Sequence, residues 1–105
     1  MQNRIEVFKQ MLESDSDNTM VMFGLAKEYE KTGQNDEVIK VLETYIAKSD
    51  DEGNAYGMLA QAYDKMGMSE KAAETYRKGI EVSISHGHPS MANEYKMILE
   101  ADFAD

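Results

Sequence analysis

The sequence has no cysteine, so disulfides, thiolate nucleophiles and cysteine-based zinc or iron–sulfur sites are all excluded, and the fold must stand on packing alone. One proline in 105 residues leaves long helices permitted nearly everywhere. Long apolar runs are missing as well. The longest, Met20 to Ala26, falls far below the roughly 18 residues of a membrane span, and the opening Met-Gln-Asn-Arg-Ile-Glu has no apolar signal core. A soluble, unexported, cytoplasmic chain is expected. Positive charge is scarce too: 20 acidic against 11 basic residues give a net charge of −9, which repels nucleic-acid phosphates and anionic membrane surfaces and favours basic partners. The same acidity also serves simply to keep exposed helix faces solvated.

Histidine is limited to His86 and His88, so no nucleophile, base and orienting group can be assembled, and no catalytic residue is assigned. The seven glycines are scattered rather than clustered between a strand and a helix, which removes a phosphate-cradling loop. His86-Gly87-His88, with Glu94 or another carboxylate as an oxygen donor, has the ligand types of a transition-metal site. The plainer reading is a helix end, with His86 favoured by the macrodipole, Gly87 as the cap and His88 in the linker, so no metal and no cofactor are assigned. The carboxylates at Asp15 and Asp17, at Asp36 and Glu37, and from Asp50 to Glu52 each precede or open an expected helix. Negative charge there is worth about 0.3–1 kcal/mol, which makes capping a better account than acid–base or calcium chemistry.

What the sequence does contain is a repeat. At an offset of 34 residues, Leu25, Ala26, Tyr29, Lys31, Gly33, Ile46 and Ser49 recur as Leu59, Ala60, Tyr63, Lys65, Gly67, Ile80 and Ser83. Those are seven identities over one period, where average composition gives about two. Within each copy the stripes Met22, Leu25, Ala26, Tyr29 and Tyr56, Leu59, Ala60, Tyr63 follow the i, i+3, i+4, i+7 spacing that only a helix turns to one side. Gly33 and Gly67 then end the helix, and Asn35 or Ser69 is expected to cap the next. The second helices carry Val38, Val41, Leu42, Tyr45, Ile46 and Ala72, Ala73, Tyr76, Gly79, Ile80. Each copy is thus an antiparallel helical hairpin whose apolar stripe must be covered by a neighbour.

In period and internal spacing the two copies resemble the tetratricopeptide repeat, whose unit carries a large residue, Leu-Gly, Tyr, a central Gly and a later small residue and aromatic. They depart from it at Met22 for the usual Trp, Ala26 and Ala60 for the Gly after Leu, Val38 for the small residue, and Asp50 and Ile84 for the closing Pro. The resemblance implies an all-α fold of hairpins stacked as a short right-handed α-solenoid. The expected organisation is a single domain, residues 1–105. It comprises a half-repeat helix over 2–18, repeats over 19–52 and 53–86, and a capping helix over 87–105. Ile5, Val7 and Asp17 fall 34 positions before Ile39, Val41 and Asp51, so the chain is expected to begin mid-repeat. Met91, Tyr95, Ile98, Leu99 and Phe103 after Pro89 supply the stripe of the cap.

Rotated off the first-helix stripe are Met20, Phe23, Gly24, Lys27, Glu30 and Lys31, and in the second copy Asn54, Gly57, Met58, Gln61, Asp64 and Lys65. Proteins of this family hold a peptide or helix in the concave groove formed by first helices. The resemblance therefore implies a protein- or peptide-binding groove at Met20, Phe23, Lys27, Lys31, Asn54, Met58, Gln61 and Lys65, suited to a basic or mixed apolar partner. Phe23 or Met20 is alternatively expected to pack on the N-terminal half-repeat. Some relatives grip the C-terminal carboxylate of a chaperone with Lys and Asn residues. Phe23 and Lys27 stand where the first Lys and Asn would be, the second helix offers Met58, and the last helix has only Lys96 as a base, so that clamp is lacking. A scaffold or adaptor module is the expected function. A subunit that self-associates through its repeat faces is the alternative.

Overall fold

The computed structural model describes residues 3–103, which form six α-helices and, among the described residues, no strand. The helices are α1 (Arg4–Ser14), α2 (Thr19–Lys31), α3 (Asn35–Lys48), α4 (Asn54–Lys65), α5 (Ser69–Ser85) and α6 (Pro89–Asp102). The architecture is all-α and built of helical hairpins. The expected half-repeat and cap extend to Gln2 and to residues 104–105, which lie outside the described residues. The helices divide into two compact units, one ending at Asp50 and one beginning at Asp51.

In the first unit, α2 and α3 form the hairpin. Gly33 adopts φ 73°, and the Gln34 and Gly33 amides donate to the Tyr29 and Glu30 carbonyls, a left-handed reversal that caps α2 and leads directly into α3. The caps that follow these turns differ from the sequence expectation. Asn35 and Ser69 are the first helical residues, while Gln34 and Met68 occupy the N-cap positions without a side-chain cap bond. The six-to-one hydrogen bond of the preceding turn fixes the chain one residue earlier than the polar side chain suggests. Asn18 does cap α2 through its side chain, at 3.1 Å from the Val21 amide.

The α2 stripe Met22, Leu25, Ala26 and Tyr29 is buried, joined by Val21 and by Val38 and Leu42 of α3. Burying an aliphatic side chain of this size is worth about 1.5–3 kcal/mol, so the paired stripes dominate the stability of this hairpin. Helix α1 is held differently, since none of its residues is buried. Its Phe8 ring lies over Gly24 of α2, where an added Cβ would come within 3.1 Å of Cζ, and Arg4 Nε pairs with Glu28 Oε1 at 3.1 Å.

The second unit repeats the hairpin in α4 and α5, with Gly67 at φ 77° in the turn. Ala55, Leu59, Ala60, Ala62 and Tyr63 are buried on α4, and Ala72, Ala73 and Tyr76 on α5. Asp51, not a residue of α4, satisfies the first turn by accepting from the Gly53 and Ala55 amides at 2.9 and 3.0 Å. Pro89 opens α6 at its first turn, as its missing N–H allows. Helix α6 buries Ala92 and Tyr95, and Ile80, Met91, Ile98, Leu99 and Phe103 pack around a centre of Ala60, Tyr76 and Tyr95. No helix among the described residues is long and apolar enough to cross a membrane.

Candidate functional site

The eight positions expected to form a groove fall into two sets, one per unit, with different surroundings. On α2, Met20 is 85% exposed, so it is packed neither on the half-repeat nor in the hairpin core. Phe23 is half-buried, but its partner is Tyr45 of α3, with ring centroids 5.2 Å apart, rather than the N-terminal helix. Gly24, the next residue, lies under the Phe8 ring of α1. Helical spacing turns Gly24 away from the hairpin stripe, and α1 then covers that side. The two lysines of this face are engaged locally. Lys27 Nζ lies 5.2 Å from the centre of the Phe23 ring, and Lys31 Nζ pairs with Glu28 at 3.1 Å.

On α4, Asn54, Met58 and Gln61 come together along one side of a shallow depression of about 330 Å³. The other side is α6, through Ser90, Met91 and Glu94. Gly57 and Tyr95 also line it and are both buried. Lys65, one turn beyond Gln61, is exposed and outside the depression. Gln61 also hydrogen-bonds the Tyr76 hydroxyl, tying this face to α5. Among the described residues lining the depression there is one ionisable carboxyl, Glu94, and no base.

Gly57 lies off the apolar stripe, which predicts an outward position, yet the structure turns it inward. Its Cα face receives Tyr95, whose Oη would stand 2.6 Å from a Cβ at that position, while Gly79 on α5 receives the ring edge, 2.9 Å from an added Cβ. The Tyr95 hydroxyl donates to the Gly53 carbonyl at 2.7 Å. Burial pushes the Tyr95 phenol up to about 12, and burial followed by the nearby carboxylates Asp64, Asp102 and Glu94 also raises Tyr76. The 34-residue alignment carries the signal for this arrangement. Phe23 and Tyr45, which stack on each other in the first copy, correspond to Gly57 and Gly79, so the second copy lacks both rings of that pair. Tyr95 enters the space that two glycines leave. Ser90, Met91, Glu94 and Tyr95 join the candidate face only in three dimensions, because a stripe on α6 does not state which helix it will meet.

The His-Gly-His segment is occupied by helix-end contacts. His86 Nδ1 lies 2.9 Å from the Val82 carbonyl at the end of α5, Gly87 takes φ 78°, and His88 Nε2 contacts the carboxylate of Glu52. Among the described residues no group of three or more His, Cys, Asp or Glu side chains converges as a metal site. The carboxylate clusters divide in a similar way. Asp36 and Glu37 sit in the first turn of α3 and Asp51 caps α4, whereas Asp17 pairs with Lys48 at 2.6 Å and Asp15 follows α1 as its C-cap residue. The Lys48 ammonium lowers the Asp17 carboxyl below its ordinary value.

Residues 53–83, the whole of α4 and most of α5, match the family model described as a tetratricopeptide repeat. Among solved structures, the crystal structure of MamA is similar to this chain with a TM-score of 0.53 at 21% identity, covering 91% of this chain and 85% of that one. At that identity the likeness is one of fold. No curated protein matches the sequence.

Proposed function

We propose that this chain, whose second hairpin matches a tetratricopeptide repeat, is a protein- or peptide-binding module without catalytic activity. The contact residues of this reading are Met20, Phe23, Lys27 and Lys31 on α2 and Asn54, Met58, Gln61 and Lys65 on α4. The observation that carries it is the depression beside α4. It pairs a thioether wall from Met58 and Met91 with hydrogen-bonding side chains from Asn54, Gln61 and Ser90, the mixture that suits an extended peptide or a helix face. Its volume lies at the small end of ligand sites, which favours a few side chains of a partner over a drug-sized molecule.

The test is capture by the full chain against a variant carrying Met58→Ala with charge reversal at Lys27 and Lys65. Loss of the captured partners is the expected result. Retention of every partner removes α2 and α4 from the interface.

A second reading is self-association. It is supported by α1, which buries no residue and leaves Val7 at 38% and Met11 at 45% exposure on one side. Sedimentation at high protein concentration distinguishes it, since a strict monomer rules it out.

A further inference from the structure

The chemistry of the depression beside α4 narrows the partner. We infer that this depression receives a lysine or arginine side chain of a peptide, with the aliphatic stem between Met58 and Met91 and the cationic head at Glu94. The inference rests on the binding reading above and adds the sign of the partner's charge to it.

Three observations converge. Glu94 is exposed on the rim, and among the described residues no cation is paired with it. The remaining polar groups on the rim, Asn54, Gln61 and Ser90, can turn an oxygen acceptor to an ammonium or guanidinium but carry donors as well, so the choice of charge falls to Glu94. The walls are unbranched thioethers, which adapt to a flexible methylene stem better than branched side chains do, and the floor of Gly57 and Tyr95 is buried and closed by the Tyr95 hydrogen bond to Gly53. A free carboxylate entering here would face Glu94 with no base to receive it, and the protein's charge of −9 adds a long-range preference of the same sign. The face of α2 differs, because there the cations Lys27 and Lys31 belong to the protein.

Peptide pools with acetylated and amidated ends and a central residue fixed as Arg, Gln or Glu, titrated against the full chain by amide NMR, test this. The Arg pool is expected to shift the amides of Asn54, Met58, Ser90, Met91 and Glu94. Glu94→Gln should weaken that pool by about fivefold, the ceiling for a solvent-accessible ion pair, and Glu94→Arg should turn the preference toward the Glu pool. If the Glu pool shifts the same amides as strongly as the Arg pool, or if Glu94→Gln leaves the Arg pool unaffected, charge selection is overturned while the binding face stands. If no pool shifts these amides, both the inference and the assignment of this face fall. Because Glu94 is exposed, unchanged thermal melting of its variants separates a binding loss from a folding one.

Discussion

In the second unit a helix is held by an aromatic ring sunk between two glycines, whereas in the first the flanking helix lies against the hairpin and buries nothing completely. Both units are built on the same 34-residue hairpin. The difference comes from where the rings are. In the first copy Phe23 and Tyr45 keep their own stack, and α1 touches down one residue further along, with Phe8 over Gly24 and Arg4 bridging to Glu28. In the second copy the two ring positions are glycine, and Tyr95 supplies the aromatic surface together with a hydrogen bond to backbone. A flanking helix can thus be attached by surface contact and charge or by insertion, and insertion excludes more water per residue. Tyr95 is 6% exposed and Ala92 1%, while no residue of α1 is buried and its contact ring, Phe8, is only half-buried.

The comparison breaks first at Tyr95. Tyr95→Ala removes a buried ring and orphans the Gly53 carbonyl, and a loss of about 3–5 kcal/mol is expected from urea unfolding. Phe8→Ala, its counterpart on α1, should cost clearly less, because the ring it removes is only half-buried. Equal losses from the two variants would mean that the helices are held alike. Next in size is Gly57→Ala. The new Cβ meets a hydroxyl already fixed by a hydrogen bond, so overpacking of about 1–3 kcal/mol should outweigh the gain in helix propensity. Gly24→Ala is the matched control. There the Phe8 ring can yield by a few tenths of an ångström, and the roughly 0.5–1 kcal/mol that alanine gains over glycine in a helix should leave the melting temperature level or slightly higher.

Alkaline pH sharpens the same contrast. The folded Tyr95 phenol is raised to about 12, above its ordinary value, so its contribution is fully present below about pH 10 and is lost as pH rises toward 12. Stability should decline over that interval, and Tyr95→Phe should flatten the decline. The smallest effect belongs to the first unit. Asp17 is lowered by Lys48, so its contribution is present above its ordinary pKa and fades as pH falls through and below it. Because the pair is solvent-exposed, Asp17→Asn should move the thermal midpoint very little at neutral pH and less still in high salt.

Much of this molecule is legible in its residue spacing. The stripes Met22, Leu25, Ala26, Tyr29 and Leu59, Ala60, Tyr63 are buried as that spacing requires, and Gly33, Gly67 and Gly87 reverse the chain with positive φ where each helix is expected to end. Caps are less legible. Asn35 and Ser69 lie inside their helices because the preceding glycine turn sets the register, and Asp51 caps α4 from three residues upstream of its first helical residue. The candidate face is half visible: Asn54, Met58 and Gln61 share one side of α4 by periodicity, but Ser90, Met91 and Glu94 face them from a helix about 35 residues further on, and nothing in the spacing encodes that approach.

Sequence alone determined the helices, their pairing into hairpins and the stripe each buries, because those depend on contacts within a few residues or across one tight turn. Tertiary structure decided that Gly57 faces inward, that Phe23 belongs with Tyr45, and that α4 and α6 form the walls of one depression. Those outcomes depend on which ring fills which space, and the competition is settled only when helices distant in the chain are packed together.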